Sequence, residues 1–234
     1  MLRSVPAIAL ALAATLACAA GAKPHVVGLG AIRKVAYSSA GDPAGARKDE
    51  TELRIRPLVV DGKVKEWTTG DAHDITDRSF VVRRAIRLND ALPTDAGGHA
   101  GAARWVWQRG PWLLIDRVSG KIAALHLPEY DPAVSEVVWF RDYAAYCGLN
   151  ASGRQLYAVV AQIAARRPVL SKKLREWNPV DHPSPACDPA AWQREPLRIA
   201  FQPAGGQPVS FDLVGLSAVL VEDGDAGDAG DASN

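Results

Sequence analysis

Apolar and polar residues alternate through Leu53-Arg54-Ile55-Arg56-Pro57-Leu58-Val59-Val60, break at Asp61-Gly62 and resume as Lys63-Val64-Lys65-Glu66-Trp67. Period-two alternation marks a strand with one buried face, and Asp-Gly between two such runs is a strong hairpin signal, so a hairpin is expected here. Ser79 to Leu88 predicts a further strand and Asp95 to Gly101 a loose Gly-rich loop. Arg104 to Gln108, a turn at Arg109-Gly110-Pro111, Trp112 to Asp116 and, after Ser119-Gly120, Lys121 to Leu127 predict a three-stranded meander. Ahead of these, a short apolar segment from His25 to Tyr37 runs into a flexible connection over about 38–50.

The stretch Asp131 to Pro168 fits two descriptions. As helix, Asp131 would cap, Pro132 would take the first turn and Gly148 would end it, with a second helix from Ser152 to Arg167. As strands, Glu136 to Phe140, Tyr143 to Gly148, Gln155 to Ile163 and Val169 to Leu174 are joined by short polar turns. The strand reading is adopted, because Val137, Val138, Trp139, Phe140, Tyr143 and Tyr146 favour a pleated surface and Asn150-Ala151-Ser152-Gly153 is turn chemistry. After a Pro-rich loop at 177–191, Leu197 to Phe201 and Val209 to Leu213 flank Ala204-Gly205-Gly206 as another hairpin, and Leu216 to Val221 adds an edge strand. The fold class expected is all-β, an antiparallel meander, with a β-sandwich or an open barrel as the alternative arrangement.

Within this pattern Val137 to Leu174 resembles a blade of the periplasmic TolB-like β-propellers. Trp139-Phe140-Arg141-Asp142 stands where that family has its Trp-Ser-Pro-Asp turn, Tyr146 follows in the next strand, and Gln155-Leu156-Tyr157-Ala158-Val159 matches the one after. Leu114 to Lys121 is similar to another blade's outer hairpin. Arg141 replaces the family's proline, and no regular repeat of roughly 40–50 residues runs through the chain. The resemblance therefore implies a propeller-blade-like antiparallel meander rather than a closed propeller.

The first 22 residues change the picture of where this domain works. Arg3 precedes an uncharged run from Ala7 to Ala17, and Ala20-Gly21-Ala22 offers the small-x-small pattern of a cleavage site. A signal peptide over 1–22 is expected, a single β-rich domain over 23–221 and an exported protein, periplasmic or extracellular. Cys18 offers a different fate, a lipid anchor, although Thr15 stands where a lipobox has an aliphatic residue. No later stretch is long and apolar enough for a transmembrane helix. Removal of Cys18 leaves Cys147 and Cys187, an even pair that reads as a disulfide in an oxidising compartment. Such a bond would tie the Pro-rich loop to the body.

The net charge is +1, unevenly spread: 26 of the 27 Lys and Arg and 21 of the 26 acids lie between Lys23 and Val221. The other five acids fall in the tail 222–234, a period-three Gly/Asp/Ala segment expected to be disordered.

Candidate chemistry is sparse. Asp71, His73, Asp74 and Asp77 form the densest polar cluster, able to supply a base near neutral pH or metal ligands, and equally able to serve as turn and capping residues. The remaining histidines are isolated, and no metal is assigned. Trp105, Trp107 and Trp112 would stack on a sugar if exposed and are core if buried. Arg166, Arg167, Lys172, Lys173 and Arg175 form a basic run suited to an acidic partner, anionic headgroups or the chain's own acidic tail, or to a solvated face. Val26-Val27-Gly28-Leu29-Gly30 begins like a dinucleotide fingerprint, but Arg33 occupies the third glycine position. No cofactor and no nucleic acid is expected. The function expected is that of an exported binding or envelope-associated scaffold protein whose partner is a protein or another envelope component. The alternative is a periplasmic hydrolase or metal-assisted enzyme centred on His73 and its neighbouring carboxylates.

Overall fold

The computed structural model describes residues 24–40, 42, 44, 49–90, 104–163, 165–178, 185–215 and 217–221. The expected signal segment with Cys18, the Gly-rich loop, the centre of the Pro-rich loop and the acidic tail lie outside them. Among the described residues the fold is all-β, with antiparallel sheets, no helix and no closed barrel.

The first sheet contains β1 (Val27–Leu29), β2 (Arg33–Ala36), β3 (Glu52–Val60), β4 (Lys63–Thr76), β5 (Ser79–Asn89), β6 (Trp105–Asp116) and β7 (Ile122–Ala124). Their order is β1-β3-β4-β5-β6-β7, with β2 also paired to β3. Asp61 and Gly62 take φ of 51° and 74°, so the Asp-Gly hairpin forms where the alternation places it. Just past β2, Tyr37 makes a parallel bridge to Trp107, so the sheet curls back toward β6.

Two expectations fail in this sheet. Arg109-Gly110-Pro111 is not a turn: β6 runs unbroken from Trp105 to Asp116. Arg83 pairs with Trp112 and Ala85 with Arg109, so Gly110 and Pro111 together oppose Arg84 in a bulge. A bulge leaves an extra residue outside the ladder, which suits a proline without an N–H. The bare Gly110 lets Ile86 approach to 2.6 Å from where a Cβ would stand. The second failure is partial: Asp77 and Arg78 form the turn expected of the polar stretch 70–78, capped by Thr76 Oγ1, but 70–76 is the end of β4, bulged between Thr69 and His73 with Gly70 at φ 74°.

The second sheet is a sequential meander of β8 (Val138–Phe140), β9 (Tyr143–Leu149), β10 (Gln155–Gln162) and β11 (Leu170–Glu176). The third repeats that plan with β12 (Ala191–Gln193), β13 (Arg198–Phe201), β14 (Val209–Val214) and β15 (Ser217–Val221). The second sheet is covered on both faces. Ala145, Cys147, Leu156, Ala158 and Val160 join a core with Ile199, Phe201, Phe211 and Leu213 of the third sheet. Ala144, Tyr146, Val159 and Ala161 point the other way, against Leu127, Val137 and Trp112. A disulfide joins Cys147 on β9 to Cys187 ahead of β12, at a sequence separation of 40.

A network of buried ions ties the chain after β2 to the first sheet. Arg83 reaches Asp42 at 3.0 Å and donates through Nε to the Gly110 carbonyl at 3.0 Å. Arg109 grips Glu50 through both carboxylate oxygens at 2.8 and 2.9 Å and donates to the Tyr37 hydroxyl at 2.6 Å. Asp42 and Arg83 are 1% and 5% exposed, so each charge depends on the other for its solvation.

The β6–β7 turn carries a testable electrostatic feature. Asp116 accepts hydrogen bonds from the backbone N–H groups of Ser119 and Val118 and from Arg78. These donors, Ser119 foremost, hold its carboxyl down at about 2. A carboxyl depressed on folding adds stability above its unfolded pKa, near 4, and that stability disappears as pH falls through about 2. Asp116→Asn is therefore expected to lower Tm at pH 6, with the gap from the parent protein closing between pH 4 and 2. A gap of constant size across that range would refute this role.

Candidate functional site

The end of one strand and two loops, one element from each sheet, meet around an open cleft of about 670 Å³. The end of β4 contributes His73 and Asp74, the β8–β9 turn contributes Arg141 beside Trp139 and Phe140, and the β12–β13 loop contributes Arg194, Glu195 and Leu197. Loops held on a rigid frame of sheets are a common location for binding residues.

The cleft's floor is built by aromatic packing. His73 stacks on Trp139 with centroids 5.8 Å apart, and Trp112 of β6 meets Trp139 edge-on at 5.1 Å. On the other flank Phe140 packs against Trp192 of β12 at 5.4 Å, while the Trp192 indole N–H donates to the Val138 carbonyl. These contacts join the three sheets.

His73 Nε2 lies 2.7 Å from the carbonyl oxygen of Arg141. A carbonyl can only accept, so Nε2 carries the proton and donates. The bond crosses 68 residues of sequence and pins the β8–β9 turn to the first sheet. Arg141 has φ 51°, a left-handed conformation in which residues with a Cβ are uncommon. Residues held in such conformations cluster at ligand-binding and active sites.

The charges in the cleft are not balanced. Asp74 is engaged by Arg117 at 2.6 Å. Among the described residues neither Arg141 nor Arg194 has a carboxylate partner; the Arg141 guanidinium lies 5.3 Å from the Phe140 ring. Besides Asp74, which Arg117 engages, the charged residues lining the cleft are two exposed arginines, Arg141 and Arg194, and one exposed carboxylate, Glu195.

The other sequence candidates disperse. Asp71 is exposed on the bulged part of β4 and Asp77 lies in the β4–β5 turn, so neither joins His73 and Asp74 at the cleft. Among the described residues no three His, Cys, Asp or Glu side chains converge to hold a metal ion. Trp105, Trp107 and Trp112 all lie on β6 rather than on neighbouring strands, and they sit in three settings. Trp105 is half exposed under Arg87, Trp107 packs edge-on to Trp67, and Trp112 packs against Trp139.

The basic run divides as well. Lys172 and Lys173 lie on β11, an edge strand, where charged side chains discourage pairing with another chain. Arg175 stacks over Trp177 at 5.6 Å, and Arg166 and Arg167 border a small pocket of about 180 Å³ beside His126.

A larger depression of about 910 Å³ borders Glu50 and Arg109, where Arg109 pairs with Glu50 and Lys34 with Glu52. Glu136 stands at its rim, its pKa raised by desolvation, an effect that Arg109 and Arg83 counteract. Arg194, Glu195 and Leu197 carried no sequence signal, because only long-range packing brings them to His73. Arg141 did carry one, as the residue in the proline's place in the blade-like turn.

Comparison of the chain with protein-family models, curated proteins and solved structures yields no match.

Proposed function

We propose that the protein is an exported binding protein of the cell envelope, and that the cleft at the three-sheet junction is its ligand site. The observation carrying this reading is the convergence of Arg141 and Arg194, both without a carboxylate partner among the described residues, on one cleft shared by all three sheets. Export rests on the N-terminal segment and agrees with the Cys147–Cys187 disulfide. The second sheet, four antiparallel strands in chain order, has the plan that the resemblance to a TolB-like blade implies.

A hydrolase centred on His73 is less well supported. Its Nε2 is committed to a backbone carbonyl, Asp74 is committed to Arg117, and Asp71 and Asp77 do not line the cleft. His73 serves here as a strut between sheets.

The test is a thermal-shift panel of small organic acids, amines, alcohols and sugars on the parent protein and on Leu197→Glu, which puts a charge into the cleft. A binder raises Tm in proportion to the logarithm of its concentration. The expected result is stabilisation by one or more compounds in the parent protein that is lost in the variant. Stabilisation unchanged by Leu197→Glu, or none across the panel, would overturn the reading.

A further inference from the structure

Resting on the cleft being a ligand site, we infer that its ligand is a small monocarboxylate with a compact apolar body. With Asp74 taken up by Arg117, Arg141 and Arg194 against Glu195 leave one positive charge uncompensated. One negative charge completes the balance, whereas a dianionic phosphate would place surplus negative charge beside Glu195. A guanidinium presents a planar fork of donors matched to the two oxygens of a carboxylate.

The apolar part of the ligand has a defined place. Leu197 and Phe140 supply the hydrophobic side of the cleft. A volume of about 670 Å³ suits a small molecule. His73 spends Nε2 on the Arg141 carbonyl, which leaves Nδ1 as its ring nitrogen without a hydrogen bond among the described residues.

The backbone of Arg141 gives the inference a second handle. At φ 51° glycine is the residue of least strain, so an arginine held there works against the stability of its own turn. Arg141→Gly keeps the carbonyl that His73 bonds and removes the whole side chain, guanidinium included. It is expected to raise Tm while weakening carboxylate binding, a split that a purely structural arginine would not produce.

Isothermal titration with benzoate, benzyl alcohol and phenyl phosphate distinguishes the possibilities. The parent protein is expected to bind benzoate at least tenfold more tightly than either of the others. Arg194→Ala and Arg141→Gly are each expected to weaken benzoate at least tenfold, and Arg166→Ala with Arg167→Ala to leave it within twofold. Equal binding of benzyl alcohol, or tighter binding of phenyl phosphate, would overturn the carboxylate inference while leaving the cleft a binding site. Failure of benzoate to bind at 10 mM, while another compound of the thermal-shift panel does, would have the same consequence.

Discussion

Asp42→Ala is expected to cost about 3–5 kcal/mol of folding stability, far more than an ordinary loop substitution. Arg83 is 5% exposed and central in β5, so it cannot turn to solvent when its partner is removed. Its Nε would keep the Gly110 carbonyl, but Nη2 would lose the carboxylate 3.0 Å away. Arg109, whose Nη1 lies 3.9 Å from the same Asp42, would then stand as a second cation near Arg83, with Glu50 and Glu136 the carboxylates left near the two arginines. The pair need not be net stabilising, since bringing two ions out of water costs several kcal/mol each. Asp42→Leu combined with Arg83→Met is therefore expected to recover at least half of the loss. Urea denaturation of the three proteins checks this, and a loss below about 1 kcal/mol for Asp42→Ala would place the network outside the stability of the fold.

Removing the disulfide is expected to have the next largest effect. Cys147 and Cys187 close a loop of about 40 residues, for which the chain-entropy model gives about 4 kcal/mol. Substituting both by alanine avoids burying free thiols or hydroxyls in a core where each cysteine is nearly inaccessible. The loss should be uneven. The bond fastens the approach to the third sheet onto β9, so amide exchange should accelerate most in β12 to β15, with the centre of the first sheet least affected. Because Arg194 and Leu197 belong to the third sheet's first loop, any ligand of the cleft should also bind more weakly. Uniform acceleration of exchange throughout the chain would contradict this local role.

The parts of this fold legible in the sequence are those where local chemistry and tertiary setting agree. The Asp61-Gly62 hairpin, the Ala204-Gly205-Gly206 hairpin and the edge strand near 217–221 form where alternation and turn residues place them. The helix-or-strand ambiguity over Asp131 to Pro168 has a physical origin. Ala144 to Gly148 are buried without interruption because the second sheet is covered on both sides, so no polar face exists to impose a period of two. Gly110-Pro111 misleads for a related reason, since a bulge in a long strand uses the same residues as a turn.

The site was less legible than the fold. His73 and Asp74 stood out as a polar cluster, yet one is fixed by a carbonyl 68 residues away and the other by Arg117. Arg194 and Leu197 reach the cleft only through the stacking of the third sheet on the second. Charge density along the chain pointed instead to the run near Arg166, which occupies the β10–β11 turn and β11, away from the cleft.

The most direct measurement of the proposed binding site is a nitrogen-15 chemical-shift titration of the full chain with benzoate. The expected result is a saturable shift confined to the cleft, in the backbone amides of Arg141, Arg194 and Leu197 and the indole N–H of Trp139, with Trp105 and Trp67 unmoved. Shifts centred on Arg166 and Arg167, or spread without saturation over the basic surface, would contradict it.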